Sequence, residues 1–367
     1  MNILYISNHL NIGGITSYLL SLSAGMKHRG HNVYIASSGG RMLSKFREEG
    51  ITYASIPIRT KQEVSPKILL SMFKLSGLIK KHKIELLHSN SRTTQVLGCL
   101  LSKFLGVKHI STCHGFFKKR LFRKIFPCWG QKVIAISEPV KEHLIRDFKV
   151  NEKDIVVIHS GVDTSEPHTR DPKTRAGIKE RFGLGKGPVV GIVARLSDVK
   201  GHTYLIEAME GVLKDIPEAA LLIAGEGKMK EGLVSLVKSL GIEKSVVFLP
   251  EIEDTRDVLS AMDLFVMPSL KEGLGLALME AMAFGLAVIG TDTGGIKSLI
   301  QDGYNGLLVR PKDSCQLQKA ISGLLKDEQK RGYLGGNARD FICRNFSLEK
   351  MAQETEEVYL QCPDARH

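Results

Sequence analysis

Residues 272–295 read EGLGLALMEAMAFGLAVIGTDTGG. Two carboxylates, Glu272 and Glu280, stand in this run with only small and apolar residues between them. Buried carboxylates are costly unless something pairs with them. Glu280 lies inside LALMEAMAF, which is too apolar to face solvent, so it calls for a partner, and a ligand can be that partner. The apolar run AVIG after Gly285 has the length of a buried strand. The helix–turn–strand succession it implies is the repeating unit of a parallel α/β sheet.

Outward from this stretch the same alternation continues. NILYIS, NVYIAS, IELLHSN, HISTCH, KVIAIS and DIVVIHSG are strand candidates in the first half of the chain. VVGIVARL, ALLIAGEG, VVFLP, LFVMPS, AVIGTD and NGLLV are candidates in the second. Helical patterns such as GHTYLIEAMEGVLKDIP and CQLQKAISGLLKD lie between them. A chain of 367 residues exceeds one comfortable core. Two strand–helix series therefore predict two Rossmann-like, doubly wound parallel-sheet domains facing a central cleft. The expected division is 1–166, a linker at 167–187, and 188–346. The terminal helix from 347 to 367, with Ser347 as N-cap and Lys350 spoiling a capping box, is expected to pack back on the first domain.

Composition narrows the class. The chain opens directly on a strand pattern, so no cleavable signal peptide is expected. Glu280 interrupts the longest apolar run, so no transmembrane helix is expected either. The six cysteines are scattered with no CxxC pair, which fits a reduced, cytoplasmic protein rather than a disulfide scaffold or zinc site. The net charge of +12 is uneven. Residues 1–160 hold 25 Lys and Arg against 9 Asp and Glu, while residues 161–367 hold 26 against 30. The first half thus looks toward an anionic partner.

In open α/β sheets ligands bind beyond the carboxyl ends of strands. Arg195 ends VVGIVAR and Lys200 follows in LSDVKGH, where Gly201 and His202 start a helix. A guanidinium and an ammonium there suit a diphosphate; two ordinary surface charges are the plain alternative. Gly13 and Gly14 sit in the first β–α loop, where glycine lets the backbone approach a phosphate or sugar. They form neither a GxGxxG fingerprint nor a Walker loop. His114 follows the strand HISTC, where a structural histidine is the commoner outcome. Gly225 ends ALLIA in the same fashion. Gly275 and Leu276 would begin the helix carrying Glu280, with Gly285 as its stop and the first amides free for an anion. Glu280 falls about one and a half turns into that helix. It could accept two hydrogen bonds from a vicinal diol such as ribose, each worth roughly 1.5–3 kcal/mol. The alternative is a purely structural pairing with a buried Arg or Lys.

The motifs GGIT, HG at His114, IAISEPV, SGVD (Ser160–Asp163), VARLSDVKG, IAGEG, DLFVMPS and EGLGLALMEAMAFGLAVIGTDTGG together resemble the retaining family-4 glycosyltransferases of GT-B architecture. The resemblance runs nearly the full length. It implies transfer of a sugar from a nucleotide diphosphate donor to a hydroxyl acceptor. Glu280 would hold the ribose and Glu272 the donor sugar. Arg195 and Lys200 would bind the diphosphate, Gly14 would lie against it or the sugar, and His114 would lie near the reacting carbon. No cofactor and no metal are expected, since no DxD motif appears and two cations can replace a divalent ion. UDP-sugars head the donor guesses, with GDP-mannose next. This chain departs from the pattern in three places: Ile15 and Thr16 follow the Gly-Gly pair without an acid, Ser160 replaces a commoner Asn, and Pro250 replaces a commoner Gly.

Residues 116–127, FFKKRLFRKIFP, and 67–83, KILLSMFKLSGLIKKHK, mix cations with apolar side chains. They predict a peripheral surface for an anionic membrane on the cytoplasmic side, and an acceptor that is lipid-linked or a cell-surface glycan. A core helix with a solvated basic face is the alternative. Nucleic acid is the rival partner, but no helix-turn-helix, RNP or zinc pattern supports it. A nucleotide-sugar epimerase on the same plan is the rival enzyme.

Overall fold

The computed structural model describes residues 1–60, 62–63, 65–119, 123, 125–164 and 171–365. The chain divides into two compact units, Met1–Gly161 with Leu348–His367, and Val162–Ser347.

The first unit is built on a parallel sheet of β1 (Asn2–Ile6), β2 (Asn32–Ser37), β3 (Thr52–Ser55), β4 (Leu86–Ser89), β5 (Lys108–Cys113), β6 (Lys132–Ala135) and β7 (Ile155–Val157). Their spatial order is β3-β2-β1-β4-β5-β6-β7. Each strand pairs in parallel with its neighbour, as Ile3 does with Val33 on one side and Leu86 on the other. Strand side chains alternate between faces. Ile3 and Tyr5 of β1 therefore enter one core with Leu19, Leu22 and Met26 of the helix Gly14–His28. Leu4 and Ile6 enter the opposite core with Ile68 and Leu75 of the helix Pro66–Lys81 and Leu97 of the helix Arg92–Leu105. Apolar, fully buried residues at every position from Ile3 to Ile6 are what a sheet covered on both faces requires.

The second unit has β8 (Val189–Val193), β9 (Ala220–Ala224), β10 (Val246–Leu249), β11 (Leu264–Met267), β12 (Ala287–Thr291) and β13 (Leu307–Val309). They run parallel in the order β10-β9-β8-β11-β12-β13. Its core joins Val190, Ile192 and Val266 to Leu205 and Met209 of the helix His202–Asp215 and to Leu317 and Ile321 of the helix Ser314–Lys326. Both sheets reverse their winding at a central strand pair, β1/β4 in one and β8/β11 in the other. At such a reversal the following loops diverge and leave a crevice.

Two expectations need correction. The stretch 167–187 is not a linker throughout: residues 172–181 form a helix of the second unit. Asp171 caps it by accepting from the Thr174 N–H at 2.8 Å, and Pro172 supplies the first-turn position that needs no N–H. Arg175 ties this helix to Asp263 at 2.7 Å. Residues 165–170 of the expected boundary lie outside the described residues. The second unit already begins at Val162, whose N–H donates to the Phe346 carbonyl at 2.9 Å. The strand β3 is the second correction, since ITYAS was not read as a strand. It is an edge strand with no fully buried residue, so its apolar signal is weak.

The helix Leu348–Leu360 belongs to the first unit and puts Met351, Ala352, Val358 and Tyr359 into the core beside β1. A Cβ at Gly25 would lie 2.8 Å from that of Ala352, so the glycine is what lets the two helices meet. Arg29 and His31 bind Glu356 of this helix at 2.5 and 2.6 Å. Tyr359 is wholly buried. Tyr359→Ala leaves a cavity and orphans its hydrogen-bond partners. The expected loss is about 3–5 kcal/mol in denaturant unfolding of the first unit. A loss under 1 kcal/mol would show that the terminal helix adds little to this core.

Candidate functional site

In the second unit the loops after β8 and β11 are clipped to each other. A Cβ on Gly201, whose φ is 70°, would stand 1.9 Å from the Pro268 carbonyl oxygen, so only glycine fits. The Leu270 N–H donates to the Val199 carbonyl at 2.8 Å. Across this junction the Lys200 ammonium donates to Glu272 Oε2 at 2.5 Å, with the two side chains 21% and 13% exposed. Ser269 Oγ adds a longer contact of 3.4 Å to the same oxygen. Arg195 is exposed and makes no ion pair among the described residues. The result is one cation held on a carboxylate and a second cation free to meet an anion.

The loop that carries Glu272 is braced from its other side by TDTGG. The Gly295 N–H donates to the Glu272 carbonyl at 3.0 Å. Thr291 Oγ1 donates to the Ser269 carbonyl at 2.5 Å. A Cβ on Gly294 would come within 2.2 Å of the Glu272 carbonyl oxygen. Two adjacent glycines after a strand were the available signal for this brace, and the sequence reading did not use it.

Gly275 adopts a φ of 106° and caps the helix Leu276–Ala283 without any side-chain cap or first-turn acid. The amides that Leu276 begins are thus left for an anion. Glu280 keeps a partly exposed edge, yet its carboxyl is held away from water. Burial, and next the nearby Asp254 charge, raise its pKa to about 7 against the opposing hydrogen bond from Thr255. Thr255 Oγ1 donates to Glu280 Oε2 at 3.0 Å. No Arg or Lys pairs with Glu280 among the described residues, which removes the purely structural ion-pair reading. Thr255 was invisible in sequence because it approaches from another helix, 25 residues away.

Gly225 has a structural reason of its own. Its Cβ would lie 2.1 Å from the Ala194 carbonyl oxygen, so the loop after β9 packs directly on the one after β8. His202 is buried. Desolvation, helped by the Lys200 charge, lowers its pKa to about 4, so it is neutral near pH 7.

The remaining two candidates lie in the first unit, beyond β1 and β5. Gly14 begins its helix after Gly13, and no atom lies within 4 Å of a Cβ built on either, so the loop offers open space to a ligand. His114 Nε2 lies 2.9 Å from Asn90 Oδ1. The Asn90 amide nitrogen faces the His88 carbonyl at 3.4 Å, which orients its oxygen to the imidazole. This network assigns the proton to Nε2. Burial lowers the His114 pKa to about 3. His114 therefore acts as a neutral, oriented ring and carries no positive charge near pH 7. Its ring sits edge-on to Tyr18 at 4.7 Å. Behind it runs a buried polar chain: Tyr18 hydroxyl to Thr112 Oγ1 at 3.2 Å, Thr112 to His88 Nε2 at 2.7 Å, and His88 Nδ1 to the Tyr359 hydroxyl at 2.5 Å. The terminal helix thus reaches toward His114 through four side chains.

The basic segments divide. Arg123 is buried, with its guanidinium 4.2 Å over the Phe117 ring, and Lys119 is engaged with Asp147 at 2.9 Å. Arg123 therefore serves the fold, which corrects its assignment to a membrane-facing surface, while Lys119 stays exposed beside Asp147. Residues 120–122 and 124 of that segment lie outside the described residues. The helix Pro66–Lys81 does expose Leu69, Leu70 and Phe73 beside Lys67 and Lys74. Among the described residues no helix is long and apolar enough to cross a membrane.

Comparison with known proteins agrees with this geometry. Residues 12–166 match the family model described as Glycosyltransferase Family 4, and residues 175–341 match the one described as Glycosyl transferases group 1. An Escherichia coli relative, UDP-Gal:alpha-D-GlcNAc-diphosphoundecaprenol alpha-1,3-galactosyltransferase, is 26% identical over 337 residues, 87% of this chain and 86% of its own length. N-acetyl-alpha-D-glucosaminyl L-malate synthase of Bacillus anthracis is 25% identical over 374 residues, 95% of this chain and 94% of its own. Among solved structures, Anabaena Alr3699/HepE in complex with UDP-glucose superposes with a TM-score of 0.87 at 22% identity, covering 98% of this chain and 99% of its own.

The raised pKa of Glu280 has a stability signature. Below about pH 4.5 the carboxyl is protonated in folded and unfolded chains alike and costs nothing. Between pH 4.5 and 7 only the unfolded chain ionises, so stability falls as pH rises. Glu280→Gln is therefore expected to stabilise the protein by about 1–3 kcal/mol at pH 8, with the difference vanishing near pH 4. Equal stability of the two proteins at pH 8 would contradict the strain assigned to this carboxyl.

Proposed function

We propose, for a chain that belongs to the family-4 glycosyltransferases of GT-B architecture, that it moves a sugar from a nucleotide diphosphate, a UDP-sugar by preference, to a hydroxyl acceptor with retention at the anomeric carbon. The observation that carries this reading is the Lys200–Glu272 pair across the reversal of the second sheet, beside the unengaged Arg195. A diphosphate entering there meets two cations and the open amides at Leu276. Lys200 turns from Glu272 to the phosphate oxygens, and Glu272 is released to accept from the sugar hydroxyls. Glu280, already desolvated, takes the ribose diol in place of water. The UDP complex of the Anabaena neighbour and the UDP-sugar in the name of the E. coli relative support a uridine donor. A nucleotide-sugar epimerase is not favoured by the family match.

The chemistry follows from the charges. The bond from the anomeric carbon to the phosphate oxygen breaks, and its electron pair leaves with the diphosphate. Arg195 and Lys200 stabilise that developing charge, which removes the need for a divalent metal. The acceptor hydroxyl attacks from the face the phosphate departs, and its proton passes to the leaving phosphate oxygen. His114, neutral and held by Asn90, orients a hydroxyl and transfers no proton.

The acceptor is proposed to be lipid-linked or a cell-surface glycan, with the protein peripheral on an anionic membrane. The exposed Leu69, Leu70 and Phe73 among lysines support this, since each cation near an anionic leaflet adds about 1 kcal/mol.

Two measurements test the reading. Arg195→Ala and Lys200→Ala should each cut turnover by about 10²–10³-fold with the fold intact; near wild-type transfer in both would refute the diphosphate clamp. Flotation with anionic liposomes should be lost on combining Leu69→Asp, Leu70→Asp and Phe73→Asp. Flotation unchanged by these three would place the membrane surface elsewhere.

A further inference from the structure

Two of the six cysteines, distant in sequence, meet in the first unit. Cys99 lies on the helix Arg92–Leu105, and Cys128 lies in the segment that leads into β6. Their thiols are in hydrogen-bonding contact. The helix explains the meeting. Cys99 follows Arg92 by seven residues, a separation that brings two side chains to within about 20° of one helical face. The Arg92 guanidinium donates to the Pro127 carbonyl at 2.6 Å and to the Phe126 carbonyl at 2.5 Å, so it draws the residues just before Cys128 onto that face. On the other flank the Trp129 carbonyl accepts from Ser111 Oγ of β5 at 2.6 Å. Cys128 is thus fixed from both sides, with a left-handed φ of 52° that its surroundings impose.

Neither is a core thiol. Both are partly buried, whereas Cys113 and Cys362 are buried. Phe126 and Pro127 beside them are exposed, so small molecules reach the pair. Cations stand close by. Arg92, although paired with Glu63, is hydrogen-bonded to Cys128, and Lys103 lies one turn beyond Cys99 on the same helix. The Cys128 thiol donates to the Cys99 sulfur. This contact lowers the Cys99 pKa to about 7, with help from Lys103 and Arg92 and against burial. The same contact, burial and the Cys99 charge raise that of Cys128. One sulfur therefore attacks as a thiolate while the other holds its proton beside it, which is the division of roles in a reactive dithiol. Sugar transfer as derived above uses neither thiol.

We infer that Cys99 and Cys128 are a reversible oxidation site, at which a low-molecular-weight disulfide of the glutathione class converts the two thiols into an intramolecular bridge. The Cys99 thiolate attacks one sulfur of the small disulfide, forms a mixed disulfide with it and expels a thiolate that takes up a proton. Cys128 then loses the neighbouring charge that held its proton. Its thiolate attacks the Cys99 sulfur, and the second small thiol leaves. Counted from two thiols, the protein gives up two electrons and two protons, and the small disulfide gains both. Thiols already in contact need little backbone movement to reach disulfide geometry. The bridge staples Pro127–Trp129 to the helix Arg92–Leu105, and a small dithiol releases it. This chemistry needs no nucleotide and does not depend on sugar transfer.

Trp129 reports the bridge. It is the chain's single tryptophan, it is buried, and it directly follows Cys128, where a disulfide quenches indole emission. Treating the reduced full chain with glutathione disulfide near neutral pH should quench that emission, and dithiothreitol should restore it. Peptide mapping should find the bridged Cys99–Cys128 pair before any adduct on the exposed Cys315. Cys128→Ser should leave Cys99 as a stable mixed disulfide and slow its alkylation by iodoacetamide at neutral pH by about fivefold. Cys99→Ser should leave Cys128 unmodified under the same conditions. Oxidant consumed at Cys315 while Cys99 and Cys128 stay reduced, or separate adducts on the two with no bridge between them, overturns the inference. The bridge is mapped on the wild-type chain, so the outcome is decided even if a variant fails to fold.

Discussion

An ammonium and a carboxylate 2.5 Å apart, one after β8 and the other after β11, set the layout of the second unit. They can meet only because the sheet reverses between those strands and because Gly201 lets the Lys200 loop lie against Pro268. Everything else at that sheet edge adjusts to the pair. Gly294 and Gly295 fit under the Glu272 backbone, Thr291 ties down Ser269, and Gly275 turns the chain into the short helix that bears Glu280. A partly buried ion pair is weak as a source of stability. It is well suited to a site that must hold a cation in place until a more strongly charged anion displaces the carboxylate.

Glu280 shows the complementary strategy. Its carboxyl is desolvated with a single hydroxyl partner, and its pKa rises to about 7 as a result. A protein keeps such strain where a ligand relieves it. The first unit follows a different logic. There His114 is neutral and oriented by Asn90, and the Tyr18–Thr112–His88–Tyr359 chain runs behind it to a helix from the far end of the sequence. Such networks fix geometry when every member is satisfied. The terminal helix is consequently part of the first unit's core and reaches toward the candidate His114 through that chain.

The parallel sheets were legible because many of their strands, such as VVGIV, ALLIA and AVIGT, read as apolar runs, and twelve of the thirteen strands were found from the sequence. The edge strand β3 was not, since half-exposed residues leave no such run. The placement of Glu272, Arg195 and Lys200 just past strands, and of Glu280 in an apolar helix, was legible because charge beside apolar runs is unusual. Thr255, the Thr291 brace and the polar chain to Tyr359 were not, because each depends on a contact made by distant segments with ordinary side chains. The helix 172–181 was misread as linker although Asp171 and Pro172 are the expected start signals. Its weak apolar face hid it. Arg123 was misassigned because a cation among phenylalanines looks the same in sequence whether it faces a membrane or stacks on a ring.

The central claim is that the second unit is built for a nucleoside diphosphate carrying a sugar. Thermal unfolding of the full chain across a panel of nucleoside diphosphates, nucleotide sugars and nicotinamide dinucleotides tests it most directly. UDP and a UDP-sugar should raise the melting temperature, with the dinucleotides inert. Stabilisation by a nicotinamide dinucleotide, or by none of the nucleotide ligands, would contradict the account.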